Sequence, residues 1–193
     1  MNGKIRRVVT GHDAGGKAIV LEDRDAPAVR TNPKRPGHIS IDLWKTSAAP
    51  VILKAEEADP TAGERTIHPP PHGTVFRISE IQPETEAIRN MSPEQAREVF
   101  KASGNENAST FAQNRRHPFM HRTQTVDYAV VLEGEIVMLL DDDEVHLEAG
   151  DVVIQRGTNH AWSNRSDKPA KMLYVLVDGE FDPELKAQFG GGH

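Results

Sequence analysis

The reading of this chain turns on two stretches: His121-Arg122-Thr123-Gln124-Thr125-Val126-Asp127 with Gly134 after six intervening residues, and Gly150-Asp151 followed by Gly157, His160 and Asn164. A β-strand turns successive side chains to opposite faces, so the odd-numbered His121, Thr123 and Asp127 project from one side of an extended segment. The glycines mark turns, and His160 on a facing strand adds a second imidazole to the same side. Two imidazoles and one carboxylate converging inside a barrel form the ligand set of a metal site with open coordination positions.

Working outward, the region around these stretches is dense in β signals. Val126 to Leu132, Glu135 to Leu140, Glu144 to Leu147, Asp151 to Gln155 and Lys171 to Val177 read as short strands. They are separated by Glu133-Gly134, Asp141-Asp142-Asp143 and Ala149-Gly150, a pattern that predicts a sandwich or closed barrel. Upstream, Arg6 to Thr10 and Lys17 to Leu21 predict a hairpin turning at Asp13 to Gly16. Residues 24 to 38 contain three prolines and read as loop. Ile39, Ile41 and Leu43 alternate with Ser40, Asp42 and Trp44, as in a half-buried strand. Residues 54 to 72 are polar and proline-rich and read as an extended surface segment. Thr74 to Ile81 is a further strand. Ser92-Pro93-Glu94-Gln95 is a helix start with a capping box, and Ala96, Val99 and Phe100 give that helix a short apolar stripe. Residues 104 to 116 read as loop. Asp182-Pro183-Glu184 opens a terminal helix that Gly190 to Gly192 should end.

The segment from Met120 to Asn164 resembles the two-part signature of the cupins. Their first motif runs histidine, any residue, histidine, three or four residues, glutamate, six residues, glycine. His121 stands at the first histidine, Asp127 at the acid and Gly134 at the glycine. The second motif runs glycine, five residues, proline, any residue, glycine, two residues, histidine, three residues, asparagine. It reads here as Gly150, four residues, Gln155-Arg156-Gly157, two residues, His160, three residues, Asn164. Fifteen residues lie between Gly134 and Gly150, a separation typical of the family. Thr123 stands where the second histidine is expected, Asp127 replaces glutamate, Gln155 replaces proline, and Arg115 occupies the place of a leading glycine.

The resemblance implies an all-β fold: a single antiparallel β-barrel of jelly-roll type with an N-terminal strand-and-loop arm and short peripheral helices. The whole chain, 1–193, would be one domain, with the barrel core at about 118–178 and the arm at about 1–90. It implies one divalent metal ion (Fe, Mn, Zn or Ni) held by His121, Asp127 and His160, the same three residues being catalytic, with Thr123 and Trp162 in the substrate pocket. Thr123 either leaves a coordination position open or simply lines the wall. The family includes dioxygenases, isomerases, lyases and decarboxylases acting on small molecules, so the fold does not choose the reaction. Two alternatives stand beside the metal enzyme. One is a metal-free isomerase in which Asp127 orients His121 as an acid–base pair. The other is a non-catalytic cupin that binds a small ligand.

Composition narrows the partners. Charged residues make up 27% and hydrophobic residues 37% of 193, a balance that supports one packed domain. The formal net charge of −6 opposes general nucleic-acid binding, which needs a basic surface. The chain has no cysteine, which excludes disulfides and thiolate chemistry. No apolar run approaches a membrane span and no signal-peptide core follows Lys4, so a cytoplasmic protein is expected. Val126, Tyr128, Val130 and Leu132 form an apolar face opposite Asp127. The N-terminal strands or a second subunit must cover it, and a homodimer is expected. Arg115, Arg116 and Arg122 flank the histidine motif and are the candidates to meet an anionic substrate group, beside the plainer reading of surface arginines.

Overall fold

The computed structural model describes residues 4–63 and 65–189. Its strands are β1 (Arg6–His12), β2 (Ala18–Asp25), β3 (Ala28–Asn32), β4 (Arg35–Thr46), β5 (Thr74–Ile81), β6 (Thr125–Glu133), β7 (Glu135–Leu139), β8 (Glu144–Glu148), β9 (Val152–Arg156), β10 (Ala161–Ser163) and β11 (Ala170–Asp178). Helices α1 (Glu86–Arg89), α2 (Pro93–Ala102) and α3 (Pro183–Gln188) are short. The chain is thus mainly β, as expected. The glycines expected to end α3 lie outside the described residues.

Every ladder is antiparallel. A six-stranded sheet runs β3-β4-β5-β11-β6-β9, a three-stranded sheet runs β10-β7-β8, and β1-β2 form a separate hairpin. The ladders therefore make open sheets rather than one closed ring. The large sheets meet where β6 turns into β7 through Gly134, whose φ of 76° and close approach to the Pro169 carbonyl leave no room for a Cβ. At the far end they meet only through local bonds, chiefly an isolated bridge between His121 and His160.

Packing follows the alternation of each strand. On β7, Ile136 and Met138 pack between the sheets with Ala129, Val131 and Met172. Val137 and Leu139 pack on the opposite side with Val99 and Phe100 of α2. Both faces of β7 are covered, which explains its unbroken apolar run. Helix α2 begins as its sequence predicts: the Ser92 hydroxyl accepts from the Gln95 amide, and the Gln95 side chain accepts from the Ser92 amide. Such a cap stabilises a helix by about 1 kcal/mol. It holds Ala96, Val99 and Phe100 toward the core.

Three expectations are corrected here. Residues 24 to 38 are not a loop but hold β3 and the start of β4. Pro33 and Pro36 fall at the hairpin tip, beside the register shift, where a missing N–H breaks no regular ladder. Strand β4 is not half-buried: Ser40 and Asp42 are as hidden as Ile41. Ile39, Ile41 and Leu43 pack with Ile5, Ala26 and Ile78 on one side. Ser40 and Asp42 face the other side, in register with Ser79 and Arg77 of β5. The N-terminal hairpin does not cover the apolar outer face of β6. Tyr128 is 46% exposed, and its partner on β9, Ile154, and the nearby Val152 are more so. Among the described residues, no helix is long and apolar enough to cross a membrane.

Candidate functional site

The polar inner face of the six-stranded sheet and the end of the three-stranded sheet enclose a cavity of about 120 Å³. His121, Asp127, His160 and Trp162 line it, as do Arg35, His38, Arg65, Arg77, Phe100, Phe119 and Tyr174.

The two histidines are brought together by backbone bonds. The His121 amide donates to the His160 carbonyl and the His160 amide to the His121 carbonyl, each at 2.9 Å. Their rings stand 4.2 Å apart between centroids. Nδ1 of His121 lies 2.9 Å from the Phe119 carbonyl, and Nδ1 of His160 lies 3.0 Å from the Thr158 carbonyl. A carbonyl can only accept, so Nδ1 of His121 carries the proton, whereas Nδ1 of His160 lies between the Thr158 carbonyl and the Gln155 amide. The His121 ring also interacts with the His160 backbone and with His68. Burial drives the His121 pKa down to about 4; it drives that of His160 to about 3, with His121 adding to the effect. Both rings are neutral at physiological pH.

The residue that departs from the family motif has a clear role in this arrangement. Gln155 is buried, and its amide nitrogen donates to the Thr158 carbonyl at 2.8 Å and lies 3.1 Å from Nδ1 of His160. Its side-chain oxygen accepts from the Gly157 amide. The side chain thus ties together the turn that carries His160, the part that a rigid proline plays by fixing φ.

Asp127 faces the same cavity from β6, and its Oδ1 is buried with no hydrogen-bond partner. Burial raises its pKa to about 6, against weaker lowering by Thr125 and Arg77. It does not join the histidines: among the described residues no three His, Cys, Asp or Glu side chains are gathered to hold a metal ion. Nor does it hold Nδ1 of His121, which faces the Phe119 carbonyl. The donor chemistry nonetheless suits a divalent ion. Each imidazole has a backbone carbonyl behind its Nδ1, and an orphaned carboxylate oxygen shares their cavity.

Trp162 lines the cavity, edge-on to His160 at 5.8 Å and to Tyr174 at 5.8 Å. Thr123 does not. It is buried with its hydroxyl 2.7 Å from that of Thr125, because regular strand alternation begins only at Thr125. Asn164 also lies off the cavity. Its amide donates to the Ile81 and Lys168 carbonyls, and its oxygen accepts from Ser166. His117 is held by Glu84 at 2.7 Å.

The arginines of the pocket are not those beside the histidine motif. Arg116 bonds the Asp141 carbonyl, and Arg122 lies over the Phe189 ring. The cavity instead receives Arg35 from the tip of the β3–β4 hairpin, Arg65 from the expected surface segment and Arg77 from β5. Arg77 donates to Asp42 at 2.6 Å, and Lys45 shares that carboxylate. Arg77 had a signal in the sequence, a charge inside the run Val75-Phe76-Arg77-Ile78. Arg35, His38 and Arg65 had none, since their segments read as loop or surface.

Comparison with known proteins agrees with this picture. A family model described as the Cupin domain matches residues 109–176. Phomopsin biosynthesis cluster protein C' of Diaporthe leptostromiformis is 31% identical over 182 residues, covering 90% of this chain and 78% of that protein. The cupin-domain-containing oxidoreductase fogC of Aspergillus ruber is 29% identical over 182 residues, covering 91% and 73%. Among solved structures, a Cupin 2 conserved barrel domain protein from Salinispora arenicola matches with a TM-score of 0.33 at 16% identity, over 62% of this chain and 72% of that one. With its paired histidines, its antiparallel sheets and these relatives, the chain belongs to the cupin superfamily.

Proposed function

We propose that this cupin is a metal-dependent enzyme acting on a small organic molecule, of the oxidoreductase kind named for its relative in Aspergillus ruber. One observation carries the reading: two neutral imidazoles, locked together by their backbones with ring centroids 4.2 Å apart, line one cavity with a buried carboxylate. Two imidazoles and a carboxylate are the donor set that a divalent cation takes. His121 and His160 would hold the ion, and Asp127 would complete the set directly or through a water. A divalent ion bound there supplies Lewis acidity or, as Fe(II), oxygen activation. The chain's own residues do the rest. Trp162 and Phe100 exclude water, and Tyr174, its hydroxyl kept protonated by burial, can donate a hydrogen bond. The open sheets facing across this cavity support the jelly-roll barrel reading of the fold.

The test is elemental analysis of untagged protein, with His121→Ala and His160→Ala beside it. About one divalent ion per chain is expected in the wild type, with most of it lost in either variant. Wild-type protein that carries no ion, and whose melting temperature no added divalent ion shifts, would overturn the reading.

A further inference from the structure

The cavity gathers three arginines, Arg35, Arg65 and Arg77. Arg77 and Lys45 share Asp42. Among the described residues, Arg35 and Arg65 have no such partner. Arg35 makes neither an ion pair nor a hydrogen bond to any described residue, and lies over the Phe119 ring at 4.3 Å. Arg65 donates to the Ser103 carbonyl at 2.9 Å and to the Ser40 hydroxyl at 3.3 Å, both neutral. Of the nearby acids, Glu84 is bonded to His117, and Asp127 lines the same cavity without a hydrogen bond to its Oδ1. His38 adds a buried Nδ1 with no partner on the same wall. Burial draws the pKa of Arg35 down to about 10 and that of Arg65 to about 9, which measures how poorly their charge is compensated.

Two half-buried guanidinium groups in one pocket, neither bonded to a carboxylate among the described residues, are a ready site for an anion. The geometry points to a carboxylate-bearing substrate, its anionic group held by Arg35 and Arg65 and its apolar body against Phe100, Phe119 and Trp162, beside the His121–His160 pair. The guanidinium fork matches a planar carboxylate. The apolar walls, and a cavity volume close to the roughly 150 Å³ that accepts one benzene ring, fit a single-ring or similarly small acid. Arg65, His38 and Ser103 also line an outer cavity that includes Arg30 and Lys101. That basic entrance would draw anions inward. This inference rests on reading the pocket as a substrate site, but not on a metal being present.

The experiment measures equilibrium binding to the full chain, as purified, of a panel running from acetate to benzoate. Each acid is paired with its neutral amide, and phenyl phosphate is included. The same panel is run on Arg35→Met and Arg65→Met, and metal content is determined in parallel. Benzoate or a smaller carboxylate should bind at least about tenfold more tightly than its amide, and each variant should lose at least about tenfold of that preference while its metal content stays unchanged. Arg35→Met should also melt at a higher temperature than wild type without ligand, because it removes an uncompensated charge; this shows that the variant is folded. The proposal fails if no carboxylate outbinds its amide, if the preference survives both substitutions, or if phenyl phosphate binds more tightly than benzoate. Arginine-dependent carboxylate binding in a protein without metal would sink the metal reading and leave this one standing. A metal-loaded protein indifferent to carboxylates would do the reverse.

Discussion

Mild acid should destabilise the metal-free protein, and the cavity histidines set the size of the effect. His121 and His160 have pKa values lowered from 6.5 to about 4 and about 3. Between pH 6.5 and those values the unfolded chain binds protons that the folded chain refuses, so stability is complete above pH 6.5 and falls as pH drops. At about 1.4 kcal/mol per pH unit per group, the two rings cost about 4 kcal/mol between pH 6.5 and 5. Asp127 works the other way. Its pKa is raised from 3.8 to about 6, so below pH 6 the folded state holds a proton that the unfolded state lacks. It returns about 1.4 kcal/mol by pH 5, leaving a net loss of about 3 kcal/mol. His38, lowered by burial and by Arg35 and Arg65, adds to the loss. The assay is urea unfolding of chelator-treated protein followed by tryptophan fluorescence, in steps from pH 7 to pH 5. Asp127→Asn removes the opposing group and should steepen the fall to about 4 kcal/mol. Stability that is flat or rising over this interval, or a shallower fall in Asp127→Asn, would show that the imidazoles are not buried neutral as described.

Three further outcomes are expected. Asn164→Ala strands the Ile81 and Lys168 carbonyls and should cost about 3 kcal/mol in chemical denaturation; a loss under about 1 kcal/mol would mean that water replaces the amide. Gly157→Ala forces a Cβ onto a backbone with φ of 62° and to within 2.5 Å of the Phe181 ring. It should cost about 1–2 kcal/mol and loosen metal binding through the His160 turn, whereas unchanged metal affinity would separate that turn from the site. A second copy should cover the ridge of Tyr128, Val152 and Ile154, so light scattering should report a dimer that Ile154→Lys converts to monomer; a wild-type monomer at micromolar concentration would remove this expectation.

The C-terminal strands were legible because their signals are local: turn glycines, strict alternation and fixed spacing put His121, His160 and Trp162 on one cavity. The β3–β4 hairpin was not, since Pro33 and Pro36 report a missing N–H and say nothing of the pairing on either side. The inner face of β4 was misread for another reason. Ser40 and Asp42 look solvent-facing until Arg77 and Ser79 are known to stand opposite, and that pairing joins residues more than thirty positions apart. Thr123 was misplaced because strand parity was counted from His121, although the regular strand starts at Thr125.

The cavity wall has two origins. The 109–176 span that the family model matches supplies His121, Asp127, His160, Trp162 and Tyr174. Arg35, His38, Arg65 and Arg77 come from the chain before it. On the functions proposed above, reactivity and recognition would be written on separate lengths of polypeptide that meet only after folding. Exchanging the first hundred residues between relatives, with the histidine half held constant, should move ligand preference with the exchanged piece. A chimera of this kind is a direct route to retuning the pocket without disturbing its chemistry.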